Sequence, residues 1–130
     1  MNPVVEERFV KNYIVSARRD RLLFELSGKK RRDGIGRFCH HADELLMKSK
    51  IISQGQYIDD DIQRTLSASG NKNCYVISMY EELDGKEFGK AEALELIIGR
   101  GMPSIAIFDD FAIVETEQES GPAVKYLMRK

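Results

Sequence analysis

The hydrophobic period changes once along this chain, and that switch limits the folds open to it. In the first part the apolar side chains recur at helical spacing: Val5, Phe9, Val10 and Tyr13, then Leu22, Leu23 and Leu26, then Ile35, Phe38, Ala42, Leu45 and Leu46. Pro3 suits a first helical turn, and Ser16 stands where it can N-cap a second helix that Ser27-Gly28 stops. A third helix is predicted over Asp33–Leu46, with Gly34 and Gly36 weakening its first turn by roughly 1 kcal/mol each. Further on, Ile51-Ile52 predicts a short strand before a turn at Ser53–Tyr57, and Asp59–Ser69 a helix whose first-turn acids match the positive end of its dipole. Cys74–Met79 and Ser104–Phe108 then read as strands on either side of a helix over Phe88–Gly99, and Phe111–Glu115 and Val124–Met128 as two more strands.

Helices first and strands later predict an α+β fold, with N-terminal helices packed on a small sheet. The strand–helix–strand pattern predicts one right-handed parallel βαβ crossover, and Asp109-Asp110 a C-terminal hairpin, so the sheet is expected to be mixed. With 130 residues, 42% of them hydrophobic, the chain reads as one domain, helical over about 1–48 and sheet-containing over about 49–130. Neither part alone is large enough to bury a good core.

Cys39 and Cys74 are the only cysteines and have no CxxC spacing, which predicts reduced thiols in a cytoplasmic protein. The opening MNPVVEERFVKNYIV sets Glu6, Glu7, Arg8 and Lys11 among apolar positions, an amphipathic helix rather than a signal peptide. No stretch approaches the ~18 apolar residues of a membrane span, so no membrane partner is expected.

Charge is unevenly distributed. Arg18, Arg19, Arg21, Lys29, Lys30, Arg31, Arg32 and Arg37 are eight of the twenty basic residues, opposed in their segment only by Asp20, Glu25 and Asp33, for a net charge of +5. Tyr80–Glu119 holds eleven acids against Lys86, Lys90 and Arg100, a net of −8, and the total of −1 hides both fields. The Lys29–Arg32 link falls between two helices, where its side chains can fan around a phosphate or carboxylate. Gly34 and Gly36 leave backbone accessible near a helix start, where free N–H groups favour anions. For nucleic acid there is neither a helix-turn-helix, ribonucleoprotein or zinc-finger motif nor an aromatic stacking platform among the bases. Segregated charge also steers protein association and fixes register, with a foreign partner or between copies of one chain.

Cys39-His40-His41 invites a metal or thiol reading. At 100° per residue Cys39 falls at the edge of the buried face, His41 on its flank and His40 nearly opposite, so the two imidazoles diverge. His40 meets Glu44 at i,i+4 as a possible recognition pair, but two ligands do not make a zinc site. The same divergence leaves the Cys39 thiol without an aimed base. If the strands at 74–79 and 104–108 were parallel, Glu81, Glu82 and Asp84 would neighbour Asp109 and Asp110, hard oxygens able to hold Mg²⁺. Neither a GxSxG elbow nor a Walker loop is present, and no cofactor or metal is expected.

The stretch RLLFELSGKKRRDGIGRFCHHADELL resembles a group of small bacterial proteins of unknown function. They share a leucine-rich helix, a Lys/Arg-rich link, the Arg37-Phe38-Cys39-His40 run and an acidic, leucine-containing helix. CYVIS, Asp84-Gly85 and the closing KYL extend the likeness over most of the chain. The resemblance implies a soluble cytoplasmic domain and assigns no functional residue. The leading expectation is a non-enzymatic interaction module that binds a protein partner, or a second copy, through its charged surfaces. Nucleic-acid or phosphorylated-ligand binding by the basic patch is the alternative. A small enzyme using the Cys39/His40 region or the acidic loop edge is the third.

Overall fold

Alternation of side chains along the central strands decides the layering. The computed structural model describes residues 1–130. Its elements run α1 (Pro3–Tyr13), α2 (Arg19–Leu26), α3 (Arg31–His40), α4 (Ala42–Leu45), β1 (Ile51–Gly55), α5 (Asp59–Ala68), β2 (Asn73–Ser78), β3 (Lys86–Gly89), α6 (Lys90–Leu96), β4 (Ser104–Ile107), β5 (Phe111–Glu115) and β6 (Lys125–Arg129). One open sheet has the order β1-β6-β5-β4-β2-β3, with every neighbouring pair antiparallel.

Tyr75, Ile77, Ile105, Ile107, Val114, Tyr126 and Met128 face one way, onto Phe9, Tyr13, Phe38 and Leu46 of the N-terminal helical part. Val76, Ala106, Ile113 and Leu127 face the other way, onto Ile62 and Leu66 of α5, Ala93 of α6 and Ile97 just after it. The sheet is therefore the middle of three layers, and every residue of β4 and β5 is buried. Phe9 and Phe38 meet edge to face at 6.0 Å on the helical side. Side chains of this size contribute about 1.5–3 kcal/mol each when fully buried.

The α+β fold and the hairpin across Asp109-Asp110 hold, but the sheet is not mixed. β2 pairs antiparallel with β4, Tyr75 opposite Ile107 and Ile77 opposite Ile105, so residues 74–79 and 104–108 do not flank a parallel crossover. The cause is β3, which occupies the first positions assigned to the helix at Phe88–Gly99 and pairs antiparallel with the other edge of β2. β3 and β4 consequently run in the same direction on either side of β2, and α6 joins them as a split crossover. With only four residues, and with Lys86 and Glu87 exposed, β3 carries no apolar run to announce a strand.

The expected Asp33–Leu46 helix is also two helices. α3 begins at Arg31, and the chain leaves helical geometry at His41 (φ −113°, ψ 26°) before α4. Phe38, Cys39, Ala42 and Leu46 all remain in the core on the helical side. β1 extends into the expected turn as far as Gly55, pairing with β6 across a bulge between Ile51 and Ser53.

Gly34 has a packing role. A Cβ there would lie 2.7 Å from Cβ of Glu25, so α2 and α3 approach each other through this glycine. Gly34→Ala is expected to destabilise the fold by about 1–3 kcal/mol in urea denaturation, as overpacking does. Gly70→Ala, where nothing lies within 4 Å, should stay within about 0.5 kcal/mol.

Candidate anion-binding cleft on the helical layer

Among the expected surface bases, Arg31 is buried. Its guanidinium makes paired hydrogen bonds to both oxygens of Glu6, at 2.6 and 2.7 Å, and to both oxygens of Asp84, at 2.7 and 2.8 Å. A further N–H reaches the Leu26 carbonyl at 3.0 Å. The Tyr75 hydroxyl donates to Glu6 at 2.6 Å and accepts from the Asn2 N–H at 2.9 Å, while Asp84 also accepts the Ser78 N–H at 3.1 Å. Burial opposes the charged guanidinium, but the hydrogen bonds to Asp84 and Glu6 outweigh it and hold its pKa above the ordinary arginine range. Tyr75 is pushed up to about 12, chiefly by burial. Arg31 is therefore a structural ion and is removed from the candidate recognition surface.

The two charge fields meet in the fold. Besides Arg31–Asp84, Arg32 stands 3.8 Å from Glu81, and His40 Nδ1 stands 3.9 Å from Glu119. Arg19 is half-buried and donates to the Ile14 carbonyl at 2.8 Å. Lys29 and Lys30 are exposed on the link. His40 is directed to Glu119 and not to Glu44, because the break at His41 ends the helix on which i,i+4 spacing would have joined them.

Arg18, Arg21 and Arg37 come together. With His41 and Glu44 they surround a cleft of about 250 Å³ whose apolar lining is Leu22, Phe38 and Leu45. Glu25 stands in the same cleft with its side chain only 8% exposed. Arg37 donates to one Glu25 oxygen, and Arg21 Nε lies 3.9 Å from the other. One largely buried carboxylate thus holds Arg37 directly and stands within ion-pair distance of Arg21 on the other helix, while Arg18 adjoins them with no carboxylate of its own. Planar guanidiniums held this way suit a carboxylate or phosphate oxygen pair.

The remaining sequence candidates separate. Cys39 is 2% exposed, and burial, with the Glu115 charge, pushes its thiol well above the ordinary cysteine range. Burial likewise pushes Cys74 up to about 12. The expected carboxylate set is not assembled: antiparallel pairing puts the residues that follow β2, Glu81, Glu82 and Asp84, at the opposite end of the sheet from Asp109 and Asp110 after β4. No group of three or more His, Cys, Asp or Glu side chains is arranged to hold a metal ion.

A buried polar row crosses the sheet instead. Ser78, Ser104, Glu115 and Lys125 stand opposite one another on β2, β4, β5 and β6. Glu115 accepts the Gly99 and Gly101 N–H groups at 2.7 and 2.8 Å, anchoring the loop between α6 and β4. Burial nevertheless raises its pKa, against those hydrogen bonds and Lys125. Its contribution to stability is thus fullest below the unfolded carboxylate range and is lost as pH rises through the folded value.

The sequence carried signals for the acids it did not single out. Glu6 falls at helical spacing with Phe9, Val10 and Tyr13, and Glu25 with Leu22 and Leu26, so each acid lies on a buried face and requires a cation. Arg31→Met, which leaves Glu6 and Asp84 uncompensated, is expected to cost about 3–5 kcal/mol in chemical denaturation. Arg32→Met at an exposed pair should cost no more than about 1 kcal/mol. Both cysteines should react with an aromatic disulfide reagent at least on the order of 100-fold more slowly in native than in unfolded protein.

No helix of the structure is long and apolar enough to cross a membrane. The chain matches no protein family, no curated protein and no solved structure.

Proposed function

We propose that this protein is an interaction module whose helical layer binds an acidic segment of a partner protein in the cleft of Arg18, Arg21 and Arg37. The convergence of those three guanidiniums on an apolar floor, with Arg37 held by Glu25 and Arg21 within ion-pair distance of it, carries the reading. Half-buried Leu45, over the buried Leu22 and Phe38, offers an apolar contact beside the charges, which a peptide side chain satisfies and a sugar–phosphate backbone does not. Glu25 and Glu44 interrupt the positive surface, whereas a nucleic-acid track needs continuous positive charge. The high pKa values and burial of both thiols favour binding over thiol chemistry.

A fluorescein-labelled hexaglutamate peptide, titrated against the protein at low ionic strength, tests this. Arg18→Gln with Arg21→Gln is expected to weaken binding by about tenfold or more, and Lys29→Gln with Lys30→Gln by much less. Arg37 is kept in both variants because it compensates the buried Glu25 charge. Equal losses from the two double variants would transfer the site to the link. Tighter binding of a short DNA or RNA duplex than of the peptide would replace the proposal with nucleic-acid recognition.

A further inference from the structure

The break at His41 divides neighbouring side chains between two clefts. His41 and Glu44 border the arginine cleft, whereas His40 and Asp43 border a second one, of about 320 Å³, and no residue lines both. That volume falls within the ~300–1,000 Å³ of small-molecule sites. The other wall is the segment from β5 to β6, and it is pinned. The Thr116 N–H and hydroxyl donate to the Val124 carbonyl at 3.0 and 2.8 Å, and the Gln56 amide donates to the Ser120 and Pro122 carbonyls at 2.7 and 3.0 Å.

Tyr126 points to a ligand there. The residue borders the cleft and is 6% exposed, yet its hydroxyl makes no hydrogen bond within the chain. No side-chain nitrogen or oxygen sealed from solvent lacks a partner, so this hydroxyl opens outward, into the cleft its residue borders. Burial and then the Asp43 charge raise its pKa, which places the phenol in the field of that carboxylate and keeps it protonated near neutral pH. Tyr13 also has a buried hydroxyl without a partner, but the cavity it borders is only about 90 Å³. Asp43, Glu117 and Glu119 supply negative charge around Tyr126, and no lysine or arginine lines the cleft. Glu119 has the 3.9 Å approach of His40, and Asp43 and Glu117 are unpaired.

We propose that this second cleft binds a linear aliphatic polyamine, one ammonium donating to the Tyr126 oxygen beside Asp43 and another answering Glu117 and Glu119 across the cleft. An ammonium is a compact charge with three rotatable donors, which suits single acceptors on separate elements better than a planar guanidinium does. The carboxylates form no group able to hold a metal ion, so positive charges spaced along a chain answer them where one ion does not. Exposed Pro122 and Val124 give the intervening methylenes an apolar contact.

Calorimetric titration of the full chain with spermidine at low ionic strength tests the site. Wild type is expected to bind one equivalent. Tyr126→Phe, which removes only the hydroxyl, should weaken binding about tenfold. Asp43→Asn/Glu117→Gln, at two exposed positions, should weaken it by about tenfold or more. Glu82→Gln/Glu95→Gln makes the same charge change outside the cleft and should stay within about twofold of wild type. Circular dichroism checks that each variant folds. Equal losses from the two acidic double variants reduce the binding to diffuse charge and overturn the proposal, as does a folded Tyr126→Phe that binds like wild type. A wild type that binds no spermidine overturns it as well. Tighter binding of magnesium, or of a capped trilysine peptide of matching charge, overturns the polyamine in favour of a metal ion or a lysine-bearing partner. Hexaglutamate binding at the arginine cleft, which shares no lining residue, is read separately.

Discussion

A buried guanidinium is tolerated only when its charge and its donors are answered, and Arg31 ties that requirement to the architecture. Its two carboxylate partners lie 25 and 53 residues away in sequence, on α1 and on the turn that joins β2 to β3. The effective cost of burying such an ion unpaired is several kcal/mol, so α1, the start of α3 and that turn must assemble together. Tyr75 brings β2 into the same network through Glu6. The helical layer is thereby fastened to the sheet by a polar contact with specific geometry as well as by apolar area. It also divides the basic run, drawing Arg31 inward while Lys29, Lys30 and Arg32 remain outside.

The second constraint is the sheet covered on both faces. Strands buried on both sides read as continuous apolar runs, as parallel strands between helices do. Here the sheet is wholly antiparallel and still covered, because α5 and α6 both pack on the face opposite the N-terminal helices. β1 and β2 point the same way with three strands between them, and α5 spans that gap. The polar row Ser78, Ser104, Glu115 and Lys125 terminates the apolar part of that second face, and each member has hydrogen-bond partners.

The expected elements were legible where period and length were strong. α1, the stop of α2, the α5 region, β2, β4, β5 and β6 all follow apolar spacing that local geometry realises, whereas Ser16 does not cap α2: it opens a 3-10 turn, and α2 begins at Arg19 with no side-chain cap. β3 was not legible, since two exposed charged residues followed by a half-buried Phe88 and Gly89 acquire strand geometry only by pairing with β2. That omission inverted the inferred direction of β4 relative to β2, and with it the grouping of Glu81, Glu82 and Asp84 with Asp109 and Asp110. The His40–Glu44 pair failed for a local reason: one residue outside helical geometry at His41 changes which side chains are neighbours. His41, rather than His40, borders the cleft.

By itself the sequence determined composition-level facts: an α+β chain with helices first, strands later, and two segregated charge fields. Those follow from side-chain periodicity and from charge counted along the backbone, both of which are local. Tertiary structure alone decided which charges are neutralised. Arg31 with Glu6 and Asp84, and Arg37 with Glu25, are contacts between elements whose spacing no local pattern encodes. Coulomb energy depends on distance through space, not on separation along the chain. The same folding that neutralises Arg31 brings Arg18 and Arg21 beside Arg37, and so turns a basic stretch of sequence into a defined cleft.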